Sequence, residues 1–178
     1  MADQGAYIKE QKLGMLDPNV IDKWGDPTKH PETQLSQDQI DQLVLAGREM
    51  FISHLTKDGF PIVTVHLYCF LDGAMWTTTV RGRAKEKAYR RDPRCSLCLS
   101  TTGLKLPFGG GICIKTHAAI VEDRAIVERV CQEHGKRYYA DDKVQKLLTD
   151  LLFTPNRLAI RFTPLKTISW VNVGMRQR

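Results

Sequence analysis

The stretch from Pro61 to Arg94, PIVTVHLYCFLDGAMWTTTVRGRAKEKAYRRDPR, constrains the chain more than any other, because it joins two strand-like runs to a concentrated block of positive charge. PIVTVHLYCF and AMWTTTV are rich in the β-branched and aromatic residues of strands. Leu71-Asp72-Gly73 between them supplies the positive-φ residues that a tight hairpin requires. Arg81-Gly82-Arg83 then reads as a loop, and Ala84 to Arg91 has the composition of a helix that Asp92-Pro93 stops. A helix therefore starts directly after a hydroxyl-rich strand end. Backbone N–H groups, threonine hydroxyls and cationic side chains converge at such a junction, which is an arrangement that captures phosphate.

The charge is local. The chain carries a net +6, and Arg81 to Arg94 holds seven basic and two acidic residues, so +5 of it lies in that block. This predicts one anionic partner site, with Thr78, Thr79, Arg83 and Lys85 as its candidate residues. The bland alternative is a solvated edge strand followed by a charged helix face. A nucleic-acid-binding barrel is a weaker rival, since only Trp76 and Tyr89 stand near the block to stack on bases; no nucleic-acid partner is expected.

With 178 residues, 42% of them hydrophobic, the chain can build one core, assigned to a single domain over 36–178. Residues 1–35 carry Asp17-Pro18, Asp26-Pro27 and His30-Pro31 and read as an extended N-terminal arm with a short helix near Asn19 to Trp24. Its apolar residues suit draping over a partner subunit. No apolar run approaches membrane-spanning length and the first residues lack the apolar core of a signal peptide, so a cytoplasmic protein without membrane attachment is expected. Cys69, Cys95, Cys98 and Cys113 sit in apolar strand-like runs, as packed reduced thiols do.

Cys95-x-x-Cys98 raises the question of a metal. In a strand, residues three apart point to opposite faces, whereas a zinc knuckle needs a tight turn, and no second CxxC is present; no metal site is assigned.

Along the rest of the chain, Ser36-Gln37-Asp38-Gln39 is a capping box opening an amphipathic helix. Strands are expected over Glu49 to Thr56, Cys95 to Thr101, Ile112 to Glu122, Arg157 to Phe162 and Thr167 to Val173, the last two divided around Pro164. The Gly109-Gly110-Gly111 run reads as a loop whose glycines permit unusual backbone angles or close approach to a ligand. Asp123 and Asp141-Asp142 begin two further helices. About seven strands with three or four helices and no βαβ alternation make an α+β fold, an antiparallel barrel with peripheral helices.

The pattern of hairpin, T-T-x-R-G-R-A-K and then R-R-D-P-R before an apolar strand resembles the pyridoxamine phosphate oxidase-like FMN-binding split barrels, closest to their flavin/deazaflavin oxidoreductase branch, from about Gln39 to Trp170. The resemblance implies a split β-barrel homodimer with a flavin-type cofactor, FMN or alternatively the deazaflavin coenzyme F-420, at the subunit interface. It implies hydride transfer to or from a small-molecule substrate. Thr78, Thr79, Arg83 and Lys85 then hold the cofactor phosphate, and Val65, His66 and Leu67 lie against the ring. Trp170 approaches from the second subunit, and His66, Tyr68 and that Trp170 shape the substrate pocket. Arg83 stands where the family often has serine, Ala84 where the oxidases have arginine, and Leu67 where many relatives have tryptophan. Arg81, Lys87, Arg90 and Arg91 are surplus cations available to a deazaflavin's anionic tail. No catalytic residue is named, because the cofactor carries the reaction. A cofactor-binding carrier without turnover is the alternative from another class.

Overall fold

A computed structural model describes residues 33–172. Most of the N-terminal arm, including the short helix expected near Asn19 to Trp24, lies outside the described residues. Helix α1 (Gln37–Ala46) leads into strands β1 (Glu49–Leu55), β2 (Pro61–Leu67), β3 (Cys69–Leu71) and β4 (Ala74–Val80). Helix α2 (Ala84–Arg91), strands β5 (Arg94–Ser100) and β6 (Gly110–Val121), helices α3 (Arg124–Tyr138) and α4 (Asp142–Leu152) and strand β7 (Arg157–Val171) follow.

The seven strands form one antiparallel sheet in the order β2-β1-β5-β6-β7-β4-β3. β2 and β3 are its two edges, yet Tyr68 alone separates them in sequence. Flat, the edges would lie roughly 29 Å apart at about 4.8 Å per strand. One residue spans a fraction of that, so the sheet must curl until its edges meet. The result is a barrel split along the β2/β3 seam.

The seam corrects the expected hairpin. Pro61–Leu67 pairs with β1, from Leu67 opposite Glu49 to Pro61 opposite Leu55, and only Cys69–Leu71 pairs with β4. The turn itself is as read, with Asp72 at φ 51 and Gly73 at φ 71. Tyr68 anchors the break. It is fully buried, its ring lies 4.4 Å beneath the Arg137 guanidinium, and its hydroxyl sits 2.7 Å from the Val44 carbonyl oxygen. Its own N–H donates to the Tyr138 hydroxyl at 3.0 Å. Tyr68 is thus a core residue, and its expected part in a substrate pocket is withdrawn.

Two further expectations change. Arg157–Val171 is one strand, not two, because the register slips between Lys115 and Thr116 and leaves Leu165 without a partner on β6. Pro164 sits beside this bulge, where a residue lacking an N–H is tolerated in a sheet. Gly110 and Gly111 begin β6 and serve close packing, not a ligand: a Cβ at Gly111 would lie 2.3 Å from the Trp170 ring, and one at Gly110 2.2 Å from the Trp170 carbonyl oxygen.

Inside the barrel, Met50, Ile52, Leu97, Leu99, Ile112 and Ile160 form the main core. A second cluster, with Cys69, Trp76, Val127, Val130 and Cys131, seats α3 outside β3 and β4. The capping box of α1 is complete, with Gln39 N–H donating to the Ser36 hydroxyl and Ser36 N–H to the Gln39 side chain. No helix among the described residues is long and apolar enough to cross a membrane.

Candidate functional site

A cleft of about 600 Å³ opens at the barrel's split, between edge strand β2, the end of β4 and the start of α2. Among the described residues its lining includes six basic ones, His54, His66, Arg83, Lys85, His134 and Arg157, and no aspartate or glutamate. Thr64, Thr77, Thr78 and Thr79 add hydroxyls, while Ile62, Leu148 and Leu152 make an apolar wall. This is the volume and composition of a site for an anionic organic ligand.

The sequence explains why these residues converge. Three consecutive threonines run toward the end of β4, and Thr77 Oγ1 donates to the Leu67 carbonyl at 2.7 Å, tying β4 to the end of β2 across the seam. β2 is an edge strand, so the backbone groups on its unpaired side remain available to a ligand. The Arg81-Gly82-Arg83 loop, with Gly82 at φ 85, then turns the chain into α2, whose second residue is Lys85.

Lys85 is the electrostatic centre. It is 9% exposed, and its Nζ lies 3.1 Å from Nδ1 and 3.0 Å from Nε2 of His66. An ammonium can only donate, so His66 must accept at one nitrogen and is neutral. Thr64 Oγ1 lies 2.9 Å from Nε2, so the hydroxyl and the ring share a hydrogen bond on the same side as the ammonium. Burial first, then Lys85 and His54, pull His66 down to about 4. Burial, then Arg83 and Arg157, pull Lys85 down to about 8. A cluster in which each cation weakens the next lacks an anion, and supplying one relieves every member.

The surrounding cations are sorted. Arg81 pairs with Glu122, Arg90 with both Glu86 and Glu122, and Arg94 with Asp92. Arg91 donates to the Leu55 carbonyl. Of the basic block, Arg83 and Lys85 are the members that line the cleft. Arg81 and Arg90 are thus paired with carboxylates at the surface. Glu86 also takes the Gly82 N–H at 3.1 Å, so that backbone donor at the helix entry is occupied from within.

The cleft gathers Val65, His66, Leu67, Thr78, Thr79, Arg83 and Lys85. It does not contain Trp170 of the same chain. That residue stands across Gly111 at the far end of β7 and is 38% exposed. Sequence reasoning missed His54 and His134; Arg157 lines the cleft as well. Arg157 Nη1 approaches Thr78 Oγ1 at 3.5 Å through the β4/β7 pairing, and His134 Nδ1 faces the Val130 carbonyl at 2.8 Å. The first follows from strand register, which no local pattern reveals. Among the described residues no group of histidines, cysteines and carboxylates is placed to hold a metal ion.

Comparison with known proteins follows the same lines. A conserved hypothetical protein from Mycobacterium tuberculosis superposes with TM-score 0.68 at 28% identity, over 78% of this chain and 86% of that one. An F420 reductase (TM-score 0.54, 14% identity, 72% of this chain and 94% of that one) and a heme storage protein from Vibrio cholerae (TM-score 0.57, 14% identity, 76% and 93%) share the fold. No curated protein matches in sequence. The family model described as pyridoxamine 5'-phosphate oxidase matches residues 36–170, which take in β1 to β6, all of β7 but its last residue and every residue named in the cleft, and the chain therefore belongs to that family.

Proposed function

We propose that the protein is an oxidoreductase that binds FMN in the split-barrel cleft and moves a hydride between that cofactor and a small molecule. The observation that carries this reading is the buried Lys85 at the end of a cleft that, among the described residues, is lined by six basic side chains and no carboxylate. The residues fit the group. Lys85 and Arg83, with the Thr78 and Thr79 hydroxyls, would hold its phosphate, and the outer edge of β2 over Val65, His66 and Leu67 would back the ring. FMN, when bound, supplies the hydride chemistry.

The chain's own residues bind, orient and polarise. The cations fix the ligand's anionic end, and His66, neutral between Lys85 and Thr64, sets where the ammonium points. Backbone N–H groups of the edge strand can stabilise negative charge that develops beside them. Leu148 and Leu152 keep one wall apolar and reduce water access. FMN is favoured over deazaflavin F-420 because, of the surplus cations Arg81, Lys87, Arg90 and Arg91, none lines the cleft and two, Arg81 and Arg90, already pair with Glu86 and Glu122.

We propose further that two copies pair through the outer face of the sheet. Val65, Phe51, Cys98, Cys113 and Ile168 form one cross-strand row over five strands. Phe51 and Val65 there are 44% and 48% exposed, and Trp170 stands on the same face. Such a patch on a lone subunit is an association surface, and pairing would bring Trp170 toward a partner's cleft.

Replacing Lys85 by Ala tests the site. The variant should weaken FMN about a hundred-fold by fluorescence titration while circular dichroism shows an intact fold. A folded variant with unchanged affinity would remove the phosphate assignment. Turnover with a reduced nicotinamide or deazaflavin as donor separates the enzyme from a carrier that binds without reacting.

A further inference from the structure

Two of the cysteines meet across the sheet, away from the cleft. Cys98 of β5 stands opposite Cys113 of β6, in a register that runs from Arg94 opposite His117 to Ser100 opposite Gly111. Both are half-buried free thiols, and neither lines the cleft. The pair is not the Cys95-x-x-Cys98 spacing of the sequence. Cys95 is 8% exposed in the core, on the face of β5 opposite to that of Cys98.

The hydrogen-bond pattern fixes how closely the two residues approach. In an antiparallel ladder, hydrogen-bonded pairs alternate with non-hydrogen-bonded ones, and in the second kind the Cα atoms come to about 4.5 Å. Thr101 N–H donates to the Gly110 carbonyl at 3.0 Å and Ala118 N–H to the Pro93 carbonyl at 2.8 Å, so the two ends of the ladder are hydrogen-bonded pairs. Counting inward by twos from either end gives the bonds to Cys95, Leu97 and Leu99 and leaves Cys98 and Cys113 as a non-hydrogen-bonded pair. Ser96 N–H agrees, since it turns away from β6 to the Ser53 hydroxyl at 2.9 Å. At that spacing both side chains leave one face of the sheet within disulfide range, which is about 4.4–6.8 Å between Cα atoms. Burial first, and then Cys113, hold the Cys98 thiol above its ordinary value, which puts the two sulfurs within each other's field.

We propose that Cys98 and Cys113 are a reversible redox site, closed to a cross-strand disulfide by a low-molecular-weight disulfide of the glutathione type. One protein thiolate attacks a sulfur of the oxidant, forms a mixed disulfide and releases one glutathione thiolate. The other protein thiolate attacks the cysteine sulfur of that mixed disulfide, closes the protein bond and releases the second glutathione. Two protein thiols are oxidised, one oxidant is reduced to two glutathiones, and the two thiol protons pass to them. The register already holds the sulfurs together, so no strand has to move. A Cα separation at the short end of the disulfide range leaves the closed bond easily reduced, which suits a switch and not a permanent staple. Lys115 and Lys166, opposite one another and one step along the same face, offer positive charge to the anionic tripeptide.

Both thiols lie in the row proposed above to join two copies, so the test reads the end point of oxidation and uses wild type beside Phe51→Asp, whose face stays open. Each folded protein is held in glutathione buffers from reducing to oxidising until its state stops changing. Acid-quenched samples are then alkylated and mapped by mass spectrometry. The expected result is a chain two hydrogen atoms lighter, with the Cys98 and Cys113 peptides joined and with Cys69, Cys95 and Cys131 alkylated as thiols. Return to reducing buffer should restore both thiols. Cys98→Ser and Cys113→Ser should each stop at a mixed disulfide with glutathione. The proposal is overturned if neither protein forms the bond at the oxidising end, if the bond joins two chains, or if a mixed disulfide persists in wild type. Closure in Phe51→Asp alone upholds the site and makes subunit pairing its guard. Should Phe51→Asp fail to fold, wild type decides by the same readings.

Discussion

Lys85 and His66 make the ligand-free cleft unstable in two pH windows, and linkage fixes the sign. His66 titrates at about 4 when folded against 6.5 ordinarily, so between those values the unfolded chain binds more protons and stability falls as the pH drops. Lys85 titrates at about 8 against 10.5, so the ligand-free protein gains stability as the pH rises from about 8 toward 10.5. Urea midpoints measured across pH should show both limbs, and His66→Asn should flatten the acid one. Anion binding runs the other way at the alkaline end: it needs the charged ammonium, so FMN affinity should drop above about pH 8 in wild type and stay flat in Lys85→Ala. Lys85 was legible because a lysine one place into a helix after a threonine-rich strand has few structural uses. His54 was not, because in EMFISHL it occupies an ordinary inward position, and only the β1/β2 register sets it against the cleft.

Among the elements, the strand and helix boundaries followed from local chemistry. Asp72-Gly73 turned the chain, Ser36 and Asp123 capped helices, and Pro93 closed α2. What local chemistry does not carry is which strand pairs with which. VTVHLYCF looks continuous, and it breaks at Tyr68, whose hydroxyl is claimed by α1, whose ring is claimed by Arg137 of α3 and whose backbone N–H is claimed by the Tyr138 hydroxyl. The seam that results is held by few bonds, one of them from Thr77 to Leu67. Thr77→Val should lower stability by about 1 kcal/mol and loosen FMN binding, measured by urea denaturation and by titration of the same sample. The packing of β6 on β7 is less forgiving. Gly111→Ala sets a methyl group 2.9 Å from the Leu99 carbonyl oxygen as well as into the Trp170 ring, and should cost about 1–3 kcal/mol.

At the scale of the molecule, the split barrel creates two surfaces from one sheet. Its inner, seam-side surface is basic and concave, while its outer surface carries the apolar row through Phe51. If that row joins two subunits, a charge in its middle must separate them. Phe51→Asp should convert a dimer to a monomer in light scattering after size exclusion, with the barrel's circular dichroism unchanged. The fold class was readable from the sequence because the strands outnumber the helices and never alternate with them in βαβ fashion. The part proposed for Trp170 of a second subunit was readable only as a resemblance, since Trp170 does not line its own chain's cleft. The most direct test of the whole account is the visible absorption spectrum of the protein purified without added cofactor, with mass analysis of what denaturation releases and titration with FMN of any colourless fraction. A flavin spectrum with released FMN, or stoichiometric uptake of FMN by the colourless protein, is the predicted result; a protein that is colourless and takes up no FMN would contradict it.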